Sequence, residues 1–268
     1  MKKILFATAF FALSGFSFVV QAAPVFTETF SYPNGPLLGQ GAPPWLITGT
    51  NTINPLQVSS GMLSITNTGQ DAFRAFNSPI TPVDGTSFYY GLTLNLSSAQ
   101  AAGDYFVHTT PSLTNTSSFY NRLFAQSSGA GYVLGYLETS GTGGAVTYGT
   151  TVLNFGTPYN VTVAYNFVAG TNNDTARVYV NPTSTNEFAN TPYLTDTWTT
   201  ITAEATNYAA FNIRQGSATA APTLTVDNIN VSTLFGDVAQ VAAVPEPSTF
   251  ALIGLGSLLV LFRRRSQS

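Results

Sequence analysis

Side chains alternate in character every second residue along two long stretches of this 268-residue chain. From Ser87 to Leu96, Phe88, Tyr90, Leu92, Leu94 and Leu96 interleave with Ser87, Tyr89, Gly91, Thr93 and Asn95. From Tyr159 to Phe167, Tyr159, Val161, Val163, Tyr165 and Phe167 interleave with Asn160, Thr162, Ala164 and Asn166. A period of two belongs to a strand with one face buried, so both stretches are predicted to be strands. Shorter candidates run through Met62–Thr66, Ala72–Phe76, Tyr105–Thr109, Tyr120–Gln126, Gly131–Glu138, Ala145–Leu153, Thr175–Asn181, Ala209–Arg214 and Leu224–Val231. Turn clusters at Ser140–Gly144 and Gly170–Asp174 suit positive φ and Asx turns. No stretch of the body reads as a long amphipathic helix. Many short strands in one chain predict an all-β, antiparallel two-sheet sandwich over residues 23–236.

One of those strands carries a fault in its pattern. Leu224 and Val226 share one face, whereas Ile229 and Val231 share the other. The phase slips at Asp227-Asn228, which predicts a bulge or a change of packing partner.

The chain has no cysteine, so neither disulfides nor thiolate metal sites can hold it. Its core must come from side-chain burial, and 20 Phe and 13 Tyr supply the largest contributions available. That aromatic content also separates the chain from disordered sequences of similarly low charge.

The cations are placed unevenly. Of nine Lys and Arg, Lys2, Lys3 and Arg263, Arg264 and Arg265 lie at the termini, which leaves Arg74, Arg122, Arg177 and Arg214. Of twelve acids only Glu246 lies in the tail, so the body carries eleven against four, a net charge of −7. Such a body lacks the basic footprint that phosphate backbones require, and nucleic acid is excluded as a partner.

The termini carry addresses. Met1-Lys2-Lys3, an apolar run from Ile4 to Val20 and the small residues around Ala22 and Ala23 form a secretory signal peptide. The cut is expected after Ala22, with Ala23 as the alternative, and residues 1–22 are then the leader. At the other end, Phe250 to Phe262 is apolar and is followed by Arg263, Arg264 and Arg265. Thirteen residues are short for a membrane helix, which needs about 20, but the arginines sit where the positive-inside rule puts cytoplasmic charge. The expectation is a C-terminal transmembrane helix and basic tail over 248–268, preceded by a linker at 237–247.

Pro245-Glu246-Pro247, the short apolar helix and the terminal Arg cluster together resemble the PEP-CTERM sorting signal of Gram-negative bacteria. The resemblance implies an exosortase-type processing enzyme as partner, which recognises the Pro-Glu-Pro region and removes the anchor. It implies a protein anchored in the inner membrane before processing and then placed on the cell surface or in the extracellular matrix, in a setting of exopolysaccharide and biofilm. The two prolines disfavour helix, which keeps the segment before the membrane extended. A plain membrane anchor fits the same residues.

A second resemblance covers the body. Phe26-Thr-Glu-Thr-Phe30 with Tyr32-Pro-Asn-Gly35, the Asn172-Asn-Asp-Thr175 hairpin and the closing Val226-Asp-Asn-Ile229 strand are similar to concanavalin A-like, laminin-G-like modules. This implies a jelly roll whose first and last strands pair. That fold carries enzymes, lectins and spacers alike, so it does not decide function.

Candidate chemistry is sparse. Jelly-roll glycosidases present paired carboxylates, yet none of Glu28, Glu138, Glu187 and Glu204 has an Asp two residues on, and there is no Gly-x-Ser-x-Gly elbow. The single histidine, His108, lies in a strand pattern and cannot complete a His-based zinc triad alone. Trp45, Trp198, Tyr89 and Tyr148 could form a sugar-stacking platform or could fill the sandwich and cover its edges. Asp174 with Asn172 and Asn173 could ligate calcium with help from Asp71 or Asp227, or could form an Asx turn. No cofactor is expected. The chain therefore reads as a non-enzymatic structural or adhesive envelope component. A carbohydrate-binding module for exopolysaccharide is the alternative, and a divergent glycoside hydrolase the remote one.

Overall fold

The computed structural model describes residues 23–114, 117–139, 144–197 and 204–241. Sixteen strands form in chain order: β1 (Phe26–Glu28), β2 (Gly35–Pro36), β3 (Leu46–Thr48), β4 (Gln57–Ser59), β5 (Met62–Ile65), β6 (Asp71–Ile80), β7 (Ser87–Ser98) and β8 (Asp104–Thr110). They continue as β9 (Tyr120–Ser128), β10 (Gly131–Leu137), β11 (Thr147–Tyr148), β12 (Tyr159–Asn166), β13 (Thr175–Val180), β14 (Leu194–Thr197), β15 (Tyr208–Ile213) and β16 (Thr223–Ser232). A 3-10 turn spans Glu187–Ala189 and one short helix, α1, spans Phe235–Val238.

The strands make two antiparallel sheets. Sheet A has nine strands in the order β14-β13-β12-β7-β16-β5-β4-β2, with β1 also paired to β16. Sheet B has seven, in the order β11-β10-β9-β8-β15-β6-β3. Between them lies the core, which the alternation foresaw: Phe88, Tyr90, Leu92, Leu94 and Leu96 of β7 and Val161, Val163 and Tyr165 of β12 are all buried in it. Phe26 on β1, Phe30 and Trp45 interlock at one end, with Phe30 stacked on the indole at 6.1 Å and Phe26 meeting it edge-on at 6.2 Å.

The slip in β16 is a bulge and a partner change at once. Its register against β7 breaks between Asp227 and Asn230, and Asn228 takes the left-handed conformation with φ 51°. Before the break β16 pairs with β5 through Leu224–Val226; after it, Ile229–Val231 pair with β1. The extra residue returns Ile229 and Val231 to the inner face, so both pairs that seemed out of phase reach the same core.

The stretch Ala145–Leu153 departs from expectation. Only Thr147–Tyr148 form a strand, and Leu153 rejoins sheet B through an isolated bridge to Tyr132. The reason lies at two glycines. Tyr148 packs its ring on Gly135, and Tyr193 fills the space that a side chain at position 149 would need; the Gly149 amide still donates to Leu134, and the chain leaves the ladder after it, where the Tyr193 hydroxyl stands between the Leu134 amide and the Thr151 carbonyl.

After β16 the chain does not leave the body at once. Residues 233–241 cross the outer face of sheet A as a strap. Phe235 packs edge-on against Tyr89 at 5.6 Å and Tyr179 at 5.2 Å. Val238 lies directly over Gly91, where an added Cβ would collide with the Val238 carbonyl oxygen. The Gln240 side chain accepts from the Thr93 hydroxyl and donates to the Asn228 carbonyl, and its own backbone carbonyl accepts from Asn160 Nδ2.

Candidate functional site

Sheet B turns its second face away from the core, and the chemistry-bearing side chains of the body gather there. A bulge places them. The register of β8 against β9 shifts between Tyr105 and Val107, with Phe106 and Val107 both turned into the core, so Val107 and Thr109, with Phe211 and Ile213 of β15, face inward, whereas Tyr105, His108, Thr110 and Asn212 face outward, next to Arg122 and Phe124 of β9. Tyr105 is the centre. Arg214 lies over its ring at 4.1 Å, and Arg122 lies 5.4 Å from the same ring and 5.7 Å from that of Phe124. The Arg214 guanidinium also pairs with Asp104 at 2.7 Å, and Arg122 donates to the Thr139 carbonyl at 2.6 Å. Tyr148 closes the edge, its hydroxyl held over Gly103, where an added Cβ would stand 2.5 Å from it.

His108 is sealed into this face. Phe119 covers it with ring centroids 4.5 Å apart, Tyr105 meets it edge-on at 5.4 Å, and only 2% of it is exposed. Among the described residues neither ring nitrogen has a hydrogen-bond partner. Burial, then the charges of Arg214 and Arg122, hold its pKa well below the ordinary value, so the ring is neutral. A neutral imidazole covered in this way is badly placed to take a substrate proton. Nearby, Asp71 accepts from the Gln215 amide at 2.7 Å, and burial pushes its carboxyl up to about 6.

The four glutamates are each bound within the body. Glu28 accepts from Phe30 N, Tyr32, Trp45 and Arg74. Glu187 accepts from Tyr89, Tyr179 and Arg177, and Glu204 from the Asn172 amide. Glu138 meets a second carboxylate, Asp196, where the β10–β11 edge of sheet B approaches β14 of sheet A. Burial first, and then the hydrogen bond and charge of Asp196, raise Glu138 to about 8, so Glu138 holds a proton at neutral pH. Thr147 also donates to Asp196. Retaining glycosidases hold their carboxyls about 5 Å apart with a sugar between them; this pair is in direct contact and Glu138 is only 4% exposed.

The remaining candidates are dispersed. Trp45 is fully buried and donates its indole N–H to Glu28 at 2.8 Å, so it belongs to the core. Tyr89 lies on the outer face of sheet A beneath Phe235, the side opposite Tyr148. Trp198 lies outside the described residues, as do Ala22, the Pro245-Glu246-Pro247 motif and Arg263, Arg264 and Arg265. In the Gly170–Asp174 hairpin Asn172 has φ 57°, and both oxygens of Asp174 are engaged, with the Val168 amide at 2.7 Å and the Tyr165 hydroxyl at 2.8 Å. Asp71 and Asp227 are bound elsewhere, to Gln215 and Asn228. Among the described residues no three His, Cys, Asp or Glu side chains converge to hold a metal. Among them, too, no helix is long and apolar enough to cross a membrane.

The face around Tyr105 has no signature in the linear sequence. The available signal was the arginines: in a body without lysine, Arg122 and Arg214 had to find partners, and both found the same ring.

No curated protein sequence matches the chain. Among solved structures, the body is similar to the endo-1,3-beta-glucanase of Streptomyces sioyaensis, with 13% identity over 78% of this chain and 95% of the other and a TM-score of 0.47. It is also similar to the CBM2 module of the evolved Dit of Lactobacillus casei BL23 phage J-1 (12% identity, 78% and 94% covered, TM-score 0.44) and to the T. cruzi calreticulin globular domain (9%, 79% and 88%, 0.46). Residues 243–265 match the PEP-CTERM protein-sorting motif. The described body is a two-sheet β-sandwich, and the sequence behind it carries a match to a protein-sorting motif.

Proposed function

We propose that this protein is a structural or adhesive component of the cell envelope or extracellular matrix, delivered by its sorting motif and freed from a C-terminal anchor by an exosortase-type enzyme. The observation that carries the reading is the motif at 243–265, which follows in sequence closely on Val241, a residue packed on the sandwich. The body's own chemistry supports a non-catalytic role, because its histidine is sealed and its glutamates are bound to their neighbours. Exopolysaccharide is the expected surrounding material. Mass spectrometry of the surface form from the native host tests the processing step: the chain should end near Val244 to Ser248. Recovery of the intact tail through Arg263–Arg265 from a host with an exosortase overturns it. Deletion of the gene should weaken biofilm cohesion, and unchanged cohesion overturns the matrix role.

A carbohydrate-binding role is favoured by one specific arrangement, the outer face of sheet B with Tyr148 and Tyr105 beside the Arg214–Asp104 pair. Tyr105 is itself covered by the arginines, so the half-buried Tyr148 is the available face, and an aromatic face flanked by charged groups suits a sugar ring and its hydroxyls. A glycan array probed with the protein and with Tyr148→Ala distinguishes the two roles: signal lost on substitution favours binding, and an array without signal favours the structural part.

A further inference from the structure

We infer that the outer face of sheet A is the side of the body that lies against the lipid surface while the tail is attached, with Phe188 and Leu234 as its contact points. The inference rests on the tail acting as a membrane anchor, as proposed above, and adds an orientation and a contact surface.

The first argument is reach. The strap fixes the chain on the outer face of sheet A as far as Val241, through Phe235 against Tyr89 and Tyr179 and through Gln240 bound to Thr93, Asn160 and Asn228. Seven residues then lead to position 248, where the expected anchor begins; fully extended, they span at most about 25 Å. To turn sheet B toward the bilayer, the tether would have to round the sandwich. The end of the strap is held over β12, where Asn160 donates to the Gln240 carbonyl, two strands from the side edge at β14 and one residue from the Tyr159 end of the strand. The way round is about 10 Å by the side edge or about 3 Å by the strand end, with roughly 20 Å more for two sheets and their outer side chains. The tether covers that path only when almost fully extended, which costs conformational entropy, and is ample for the direct one.

The second argument is what this face presents. Phe188 is 81% exposed, in the 3-10 turn between β13 and β14, and Leu234 is 44% exposed at the entry to α1. The two elements adjoin, since Thr185 stands against Gly236 and Glu187 is bonded to the same two tyrosines, Tyr89 and Tyr179, that hold Phe235. Arg177 lies 6.0 Å from the Phe188 ring, which gives the crest an aromatic residue with a cation beside it, a pairing suited to a lipid headgroup boundary. An apolar contact this small would not hold a free body with net charge −7 to a membrane. Tethering raises its effective concentration there, and cleavage of the tail would release it.

The native chain has no cysteine, so single labels can be placed at will. Full-length chains carrying Phe188→Cys, Leu234→Cys, Leu46→Cys or Leu259→Cys are spin-labelled and reconstituted in phosphatidylcholine nanodiscs. Accessibility to oxygen relative to a water-soluble relaxer is then read at each site. Leu46 is the control, 49% exposed on the outer side of sheet B. The expected result is a ratio raised severalfold at 188 and 234 over that at 46, with 259 fully lipid-like. A lipid-like label at 259 with equal, water-like ratios at 188, 234 and 46 overturns the orientation alone. A water-like label at 259 overturns the anchor reading and the orientation with it.

Discussion

The Glu28 carboxylate and the Arg74 guanidinium meet at 2.6 Å inside the sandwich, with side chains only 2% and 10% exposed. Glu28 does more than pair. The Phe30 amide donates to one of its oxygens, and the Tyr32 hydroxyl, the Trp45 indole and Arg74 donate to the other. Arg74 in turn donates to the Ala42 carbonyl and lies over the Phe26 ring at 5.2 Å. The first strand, the loop after it and sheet B are joined at this one carboxylate.

Removal of one partner leaves the other buried and uncompensated, which costs about 3–5 kcal/mol. Glu28→Ala is therefore expected to lower the urea midpoint strongly, as is Arg74→Met. The double variant should lose much less than the sum, because it leaves no orphaned charge. Additive losses in equilibrium unfolding would contradict the coupling. Burial and the Glu28 carboxylate also push the Tyr32 hydroxyl up to about 12, so it donates throughout the physiological range.

Glu138 sets a pH dependence. In the folded protein it keeps its proton up to about pH 8, against an ordinary value of 4.5. The native state therefore binds more protons than the unfolded chain between those limits, and stability falls as pH rises. This contribution is fully present below about 4.5 and lost as pH climbs through 8; a proton held ten times more tightly by the native state is worth about 1.4 kcal/mol. Asp71, raised to about 6, acts in the same direction lower in the range. Glu138→Gln should flatten the stability profile from pH 6 to 8 and leave a shallower slope, set by Asp71, below pH 6. Melting curves across that range check it, and an unchanged slope above pH 6 refutes it.

The Gly170–Asp174 hairpin is tested with calcium and chelator. Both Asp174 oxygens are held by Tyr165 and the Val168 amide, so the melting temperature should be the same in either solution. A calcium site used at a hundred times its dissociation constant would add about 2.7 kcal/mol. Asp174→Ala should destabilise equally in both solutions, by about 1–3 kcal/mol for buried donors left unpaired. A calcium-dependent rise that this substitution abolishes would establish a metal site instead.

Gly91 is the seat of the strap. A methyl at this position would overlap the Val238 carbonyl oxygen, and a backbone atom cannot swing aside as a flexible side chain can. Gly91→Ala should lift residues 235–241 while β7 stays paired. Hydrogen exchange would show faster amides in α1 and Ala239 with unchanged protection at Tyr90 and Leu92. Equal protection of the strap in both proteins would show that it does not depend on this contact.

Much of the sandwich was legible because strand alternation is local. Phe88 through Leu96 announce their buried face without reference to any other part of the chain, and the Asp227-Asn228 slip was visible for the same reason. What the slip accomplishes was not visible, since β1 and β5 lie far away in sequence. Ala145–Leu153 looks like one strand in isolation, because its departure from the ladder is imposed by Tyr193, some forty residues on. Glu28 has local partners in Phe30 and Tyr32, but the two that bury it, Trp45 and Arg74, stand 17 and 46 residues away. The cluster on Tyr105 was hidden likewise, since Asp104, Arg122 and Arg214 come together only through the order of the strands.

The pairing of β1 with β16 bears on the order of events during export. Phe26 opposite Val231 closes the longest circuit the body contains, and β16 also supplies the inner neighbour of β5 and β7. A contact of that separation forms late, and until it forms sheet A is split into halves with open edges. The strand that joins them is the last of the described strands, so it is also the last of them to be synthesised. An export route of the kind proposed above would therefore receive a chain whose sandwich is not yet closed.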